Sequence, residues 1–178
     1  MRHALALFAV LASGLPALAQ HQPYSGMETR AIKTLSDKDV ADLGAGRGMG
    51  LALAAELNGY PGPLHAIELA ERLGLSTDQV AKLKVLFESM KGEAIPIGAK
   101  LIEQERSLND DFAKRTVTLA SLETTTQQIG ATQAALRAAH LKYHLATVAI
   151  LTPDQVRRYN ELRGYGGGAP THPHRGHH

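Results

Sequence analysis

Two stretches, "LSTDQV" at Leu75–Val80 and "LTPDQV" at Leu151–Val156, carry nearly the same six residues in the same order. Each is built to start a helix. Ser76 is an N-cap residue whose hydroxyl can accept a backbone N–H, and Gln79, three positions on, can reach back to the N–H of the cap, forming a capping box. Leu75 stands just before the cap and Val80 four residues into the helix, the two positions that clasp as a hydrophobic staple. Leu151, Thr152, Gln155 and Val156 repeat every one of these roles, and Pro153 takes the first helical position, where its missing N–H costs nothing. Asp78 and Asp154 place a negative charge in each first turn, where the helix dipole favours it.

The residues downstream of the first start decide the fold class. From Val80 the apolar positions run Leu83, Phe87, Met90, Ala94, Ile97, Leu101, Leu108 and Phe112, alternating steps of three and four that draw one seam along a long helix. A second stripe, Leu122, Ile129, Leu136, Tyr143 and Ile150, recurs once per heptad with Thr and Ala on its flanks. Two stripes of matched length predict an antiparallel α-hairpin, with its turn between Lys114 and Ser121 and with Thr116 or Thr118 capping the return helix. Within the first helix Gly92, Pro96 and Gly98 interrupt helical propensity, and Pro96 cannot donate to the carbonyl of Gly92, so a bend is expected there. A bent hairpin buries little of its inner face alone, and the small residues along the return helix suit a partner helix, which favours a homodimer.

Upstream, "MRHALALFAVLASGLPALA" has a basic start, an apolar run and a small-residue end, the three parts of a secretory signal peptide, and cleavage is expected after Ala19. The run is too short and too broken by Ser13, Gly14 and Pro16 for a spanning helix, so no membrane insertion is expected after cleavage. The mature chain is expected in the periplasm. Residues 20–35 mix Pro, Gly and polar residues and read as an arm without much structure. Residues 36–165 form the single helical domain, beginning with a short helix capped by Ser36. "GAGRGMG" at Gly44–Gly50 lacks both the GxGxxG and the GxxxxGK[ST] spacing and reads as a hinge rather than a phosphate loop. "LALAAEL" and "LHAIELAERLG" give two more short helices, the last ended by Gly74. Residues 166–178 form a tail rich in Gly, Pro and His. The net charge of +2 argues against nucleic acid as partner, and the absence of Cys excludes disulfides and thiolate metal sites.

With the paired motifs placed, the chain resembles the Spy/CpxP family of periplasmic chaperones and heavy-metal sensors, whose mark is a pair of LTxxQ motifs. The residues that carry the resemblance are Leu75, Ser76 and Gln79, where Ser replaces the usual Thr, and Leu151, Thr152 and Gln155, which fit fully. The likeness covers roughly residues 64–165. It implies an all-α, bent, cradle-shaped dimer that either holds unfolding envelope proteins without ATP or senses divalent metal for a signalling system.

Each role has a footing in the residues. Holding clients needs apolar surface interleaved with charge, and Lys82, Lys84, Lys91, Lys100, Arg106, Lys114 and Arg115 lie beside the first seam. Glu88, Glu93, Glu103, Glu105, Asp110 and Asp111 are mixed among them, as on an ordinary solvated face. For metal, His140 and His144 stand four apart, so that two imidazoles on one helix face can share Zn, Ni or Cu, with a third ligand needed from His65, Glu68 or a partner subunit. The tail adds His172, His174, His177 and His178. An enzyme finds no support: GxSxG is absent, and in "HLKYH" Leu141 stands where HExxH has its general base. Three roles thus remain open: a holdase that needs no cofactor, a metal-responsive protein, and a structural module that binds an envelope sensor protein.

Overall fold

The computed structural model describes residues 23–165. The expected signal peptide at 1–19 and the tail histidines His172, His174, His177 and His178 lie outside the described residues. Seven α-helices are present among them: α1 Asp37–Gly44, α2 Leu53–Glu56, α3 Pro63–Glu68, α4 Ala70–Leu73, α5 Thr77–Ala113, α6 Leu119–Ile150 and α7 Pro153–Arg163. The one β-type pairing among the described residues is an isolated bridge between Ile32 and Leu35. The chain is all-α.

Helices α5 and α6 dominate, with 37 and 32 residues, or lengths of about 55 and 48 Å at a rise of 1.5 Å per residue. Gln79 near the start of α5 reaches the carbonyl of Ile150 at the end of α6, and Glu93 meets Lys142. Partners descend along one helix as they ascend the other, which makes the hairpin antiparallel. Its turn is short. Arg115 takes a left-handed conformation there, and Thr118 caps α6 by accepting from the N–H of Ser121, while Thr116 bonds back to Asp111.

The α5 seam is largely as its spacing predicts: Leu83, Met90, Ala94 and Leu101 are buried, and only Phe112 is left exposed at the tip. The helix continues without interruption through Pro96. Gly98 is buried for a reason other than flexibility: a Cβ there would stand 2.5 Å from the carbonyl oxygen of Leu43. The C-terminal end of α1 therefore crosses directly over α5 at a residue with no side chain. Leu43 joins Ala94, Leu101, Ile129 and Leu136 in one core cluster, while Ala66, Leu83 and Leu151 form a second at the motif end.

The α6 stripe differs from expectation. Of its five heptad positions only Ile129 and Leu136 are buried; the rest of the inner face is Thr132, Ala139, His140, His144 and Thr147. Steps of three and four are kept, but small and polar residues occupy them. Thr147 fits because its hydroxyl donates to the carbonyl of Tyr143 one turn back, at 2.8 Å, so no polar group is left open.

Three short segments also depart from the sequence reading. The arm expected at 20–35 is, in its described part, folded onto the hairpin: it forms a 3-10 turn at Met27–Thr29, buries Ile32, and lets Thr34 donate to the buried Glu105 at 2.9 Å. The helix expected across "LHAIELAERLG" breaks at Leu69 into α3 and α4. The glycine-rich segment is no free hinge. Arg47 turns back to Asp42 at 2.5 Å, and Gly46, with φ of +64°, lies so close to Ile95 of α5 that a Cβ would sit 3.1 Å from it.

Candidate functional site

The two motifs meet. Ser76 and Thr152 each accept from the backbone N–H three residues on, and the side chains of Gln79 and Gln155 accept from the backbone N–H of Ser76 and Thr152 at 3.0 and 2.9 Å. Both capping boxes are complete. The remaining capacity of each amide goes to the other motif. Gln79 Nε2 donates to Gln155 Oε1 at 2.8 Å, and Gln155 Nε2 donates back to Gln79 Oε1 at 3.1 Å. Gln79 also donates to the carbonyl of Ile150, the last residue of α6, and Gln155 to the carbonyl of Gly74, which closes α4. Each glutamine thus caps the start of its own helix and receives the end of the helix preceding the other motif. Leu75, Leu151 and Val156 pack beneath the pair with Leu83 and Ala66.

About two to three helix turns further along the hairpin, the glycine-rich loop, α2 and the start of α3 enclose a cleft of about 620 Å³ against α5 and α6. Its walls are Met49, Leu53, Leu64, Phe87 and Met90, and its polar groups are Glu56, His65, His140, His144 and Arg163, with Arg47 and Lys91 also on its lining. Glu56 is 6% exposed, His140 2% and His144 8%, so these are not surface groups.

The polar contacts here are uneven. Tyr159, fully buried on α7, donates to Glu56 Oε1 at 2.5 Å, and Arg163 Nε lies 3.4 Å from that same oxygen. His65 Nδ1 stands 3.7 Å from it. Burial, reinforced by the hydrogen bond to Glu56, pushes the Tyr159 phenol far above its ordinary value, which keeps it a donor. His144 Nδ1 lies 2.6 Å from the carbonyl oxygen of Tyr60. A carbonyl only accepts, so Nδ1 carries a proton. Two buried atoms here have no hydrogen-bond partner, Glu56 Oε2 and His140 Nε2. Burial holds His140 below its usual value, with His144 adding to the effect, and burial likewise lowers His65.

The structure therefore brings His140, His144 and His65 into one cleft, while Glu68 is not among its lining residues. Among the described residues no three His, Asp or Glu side chains group closely enough to hold a metal ion. Sequence reasoning did not find Glu56, Tyr159 or Arg163. The only signal available was a lone carboxylate inside the apolar run "LALAAEL". The cations beside the α5 seam are mostly committed locally: Lys82, Lys91, Arg106 and Lys114 each pair with an acid a turn away.

The sequence profile of the LTXXQ motif family protein matches residues 64–163, more than half of the chain, and both interlocked motifs fall inside that span. The chain belongs to the LTXXQ motif family. Comparison with curated proteins and with solved structures finds no match. The LTXXQ match begins at Leu64, so the glycine-rich loop and α2, which form one wall of the cleft, lie outside it. Among the described residues no helix is long and apolar enough to cross a membrane.

Proposed function

We propose that this protein is a periplasmic, ATP-independent chaperone-like member of its family that holds unfolding envelope proteins through the apolar face of its short helices. The observation that carries this reading is the exposed set Met49, Leu53, Leu57, Tyr60 and Leu64, with Leu53 at 54% and Leu57 at 57%. All five fall within residues 49–64, and three of them continue into the wall of the cleft. A folded monomer gains nothing by leaving such side chains in water, and clustered apolar surface of this kind marks a binding face. The paired charges along α5 are consistent with this division of labour: neutralised in place, they contribute solubility rather than attraction.

Purified mature chain is expected to suppress aggregation of an unrelated, chemically unfolded client at near-stoichiometric amounts, in the presence or absence of a chelator. The paired change Leu53→Gln with Leu57→Gln should remove most of that suppression while leaving the helical circular dichroism intact. Equal suppression by the variant would move the client surface elsewhere, and no suppression by the unaltered chain would end the reading.

A further inference from the structure

At the polar end of the cleft a buried carboxylate oxygen is left over. Arg47 is held by Asp42, Lys91 faces Glu88, and Arg163 and Tyr159 both serve Glu56 Oε1. The proton of His144 Nδ1 belongs to Tyr60, although Glu56 Oε2 is only 3.8 Å away. What remains is Glu56 Oε2 with no hydrogen-bond partner, beside a second buried unpartnered atom, His140 Nε2. A buried carboxylate oxygen of this kind is costly unless something donates to it. The rest of the lining is apolar, and the volume of about 620 Å³ is that of a small-molecule site.

We propose that this cleft binds a small amphipathic molecule ending in a primary ammonium, with the ammonium on Glu56 Oε2 and its apolar chain along Met49, Leu53, Phe87 and Met90. An ammonium offers three donors and a positive charge to a carboxylate whose second oxygen is empty, and a charge-assisted bond in a dry site is among the stronger single contacts. An anionic head would meet the carboxylate, and a neutral hydroxyl would bring one donor and no charge. A bare metal ion is disfavoured because the His and Glu groups are not gathered closely enough to hold one. Gly62 lets the His144 ring close on the backbone, since a Cβ there would stand 3.0 Å from it, while a Cβ at Gly48 would meet His140 only at 3.8 Å, an ordinary contact. This ligand site shares Met49 and Leu53 with the client face but does not rest on client holding.

The test is calorimetric titration of the full mature chain with octylammonium, octanoate and octan-1-ol. Octylammonium is expected to saturate at one per chain and to bind more tightly than the other two by about tenfold or more, the scale of one hydrogen bond to a charged group. Glu56→Gln should erase that preference. Because Glu56 is buried and its loss can unsettle the fold, Gly48→Leu provides an independent check. A Cβ at Gly48 makes only ordinary contact, 3.8 Å from His140, and a leucine there is expected to occupy the cleft and abolish octylammonium binding with the circular dichroism unchanged. Octanoate binding as tightly as octylammonium, octylammonium binding that survives Gly48→Leu, or Zn²⁺ taking the site while the amine does not would each overturn the proposal. Aggregation suppression is measured on the same preparation, so amine binding can fail while client holding stands, and the reverse.

Discussion

Gln79 and Gln155 each make four bonds through their amides, one to their own helix start, two to each other and one to the carbonyl that ends the helix before the other motif. An isolated capping box needs only the first. The near-repetition of the six residues therefore reflects a two-sided lock, and a Glu at either position would bring acceptors where donors are required. Gln79→Ala or Gln155→Ala is expected to cost about 1–3 kcal/mol, because each leaves backbone groups and the other amide without partners. The double variant should cost less than the sum, by about 0.5–3 kcal/mol, since both remove the same lock; additive losses in denaturant unfolding would show two independent caps instead. The histidines of the cleft make a second residue-scale prediction. His65 and His140 are held below the ordinary histidine value by burial, so an unfolded chain takes up protons at a pH where these folded rings stay neutral. Stability tied to them is full above about pH 6.5, the unfolded value, and is lost as pH falls towards the lowered folded values. Melting temperature should drop between pH 7.5 and 5, and His140→Gln should flatten that drop.

At the scale of elements, the crossing of α1 over α5 depends on the bare backbone of Gly98. Its neighbour there is a carbonyl oxygen at 2.5 Å from the position of a Cβ, and backbone cannot step aside as a side chain can. Gly98→Ala would raise helix propensity at that position yet is expected to destabilise the fold by about 1–3 kcal/mol as an overpacking change. A higher melting temperature in the variant would mean that α1 is not seated there. The same glycine shows what the sequence could and could not reveal. Both capping boxes, the α5 seam and the hairpin were legible because each rests on local spacing, of three residues in a cap and of three and four along a helix face. Gly98 beside Pro96 reads as a propensity defect, since nothing local says that another helix presses on it. The inner face of α6 is hidden from the sequence for a related reason: Thr132, Ala139, His140, His144 and Thr147 carry no apolar signal, and they are buried only because small or internally bonded side chains suit close packing. The cleft was the least legible feature, because it joins Glu56, His140, Tyr159 and Arg163 across most of the chain length, and only the folded path of the glycine-rich loop brings them together.

Across the whole molecule, buried side chains are confined to one part of the hairpin. Between Glu105 on α5 and Ile129 on α6 no residue is buried, and Phe112 and Leu119 stand exposed at the tip. Both core clusters, the motif lock and the cleft lie on the other side of that boundary. Helices of such length hold together through packing of an apolar face rather than through propensity alone, so the tip should open without the rest. Hydrogen exchange is expected to be faster for amides at 106–128 than for those at 83–101 and 132–150 by a factor on the order of 10³ or more, the difference between local fraying and global opening. Uniform protection along both helices at low protein concentration would refute this division. Protection of the tip that rises with concentration would instead report a second copy seated on Phe112 and Leu119.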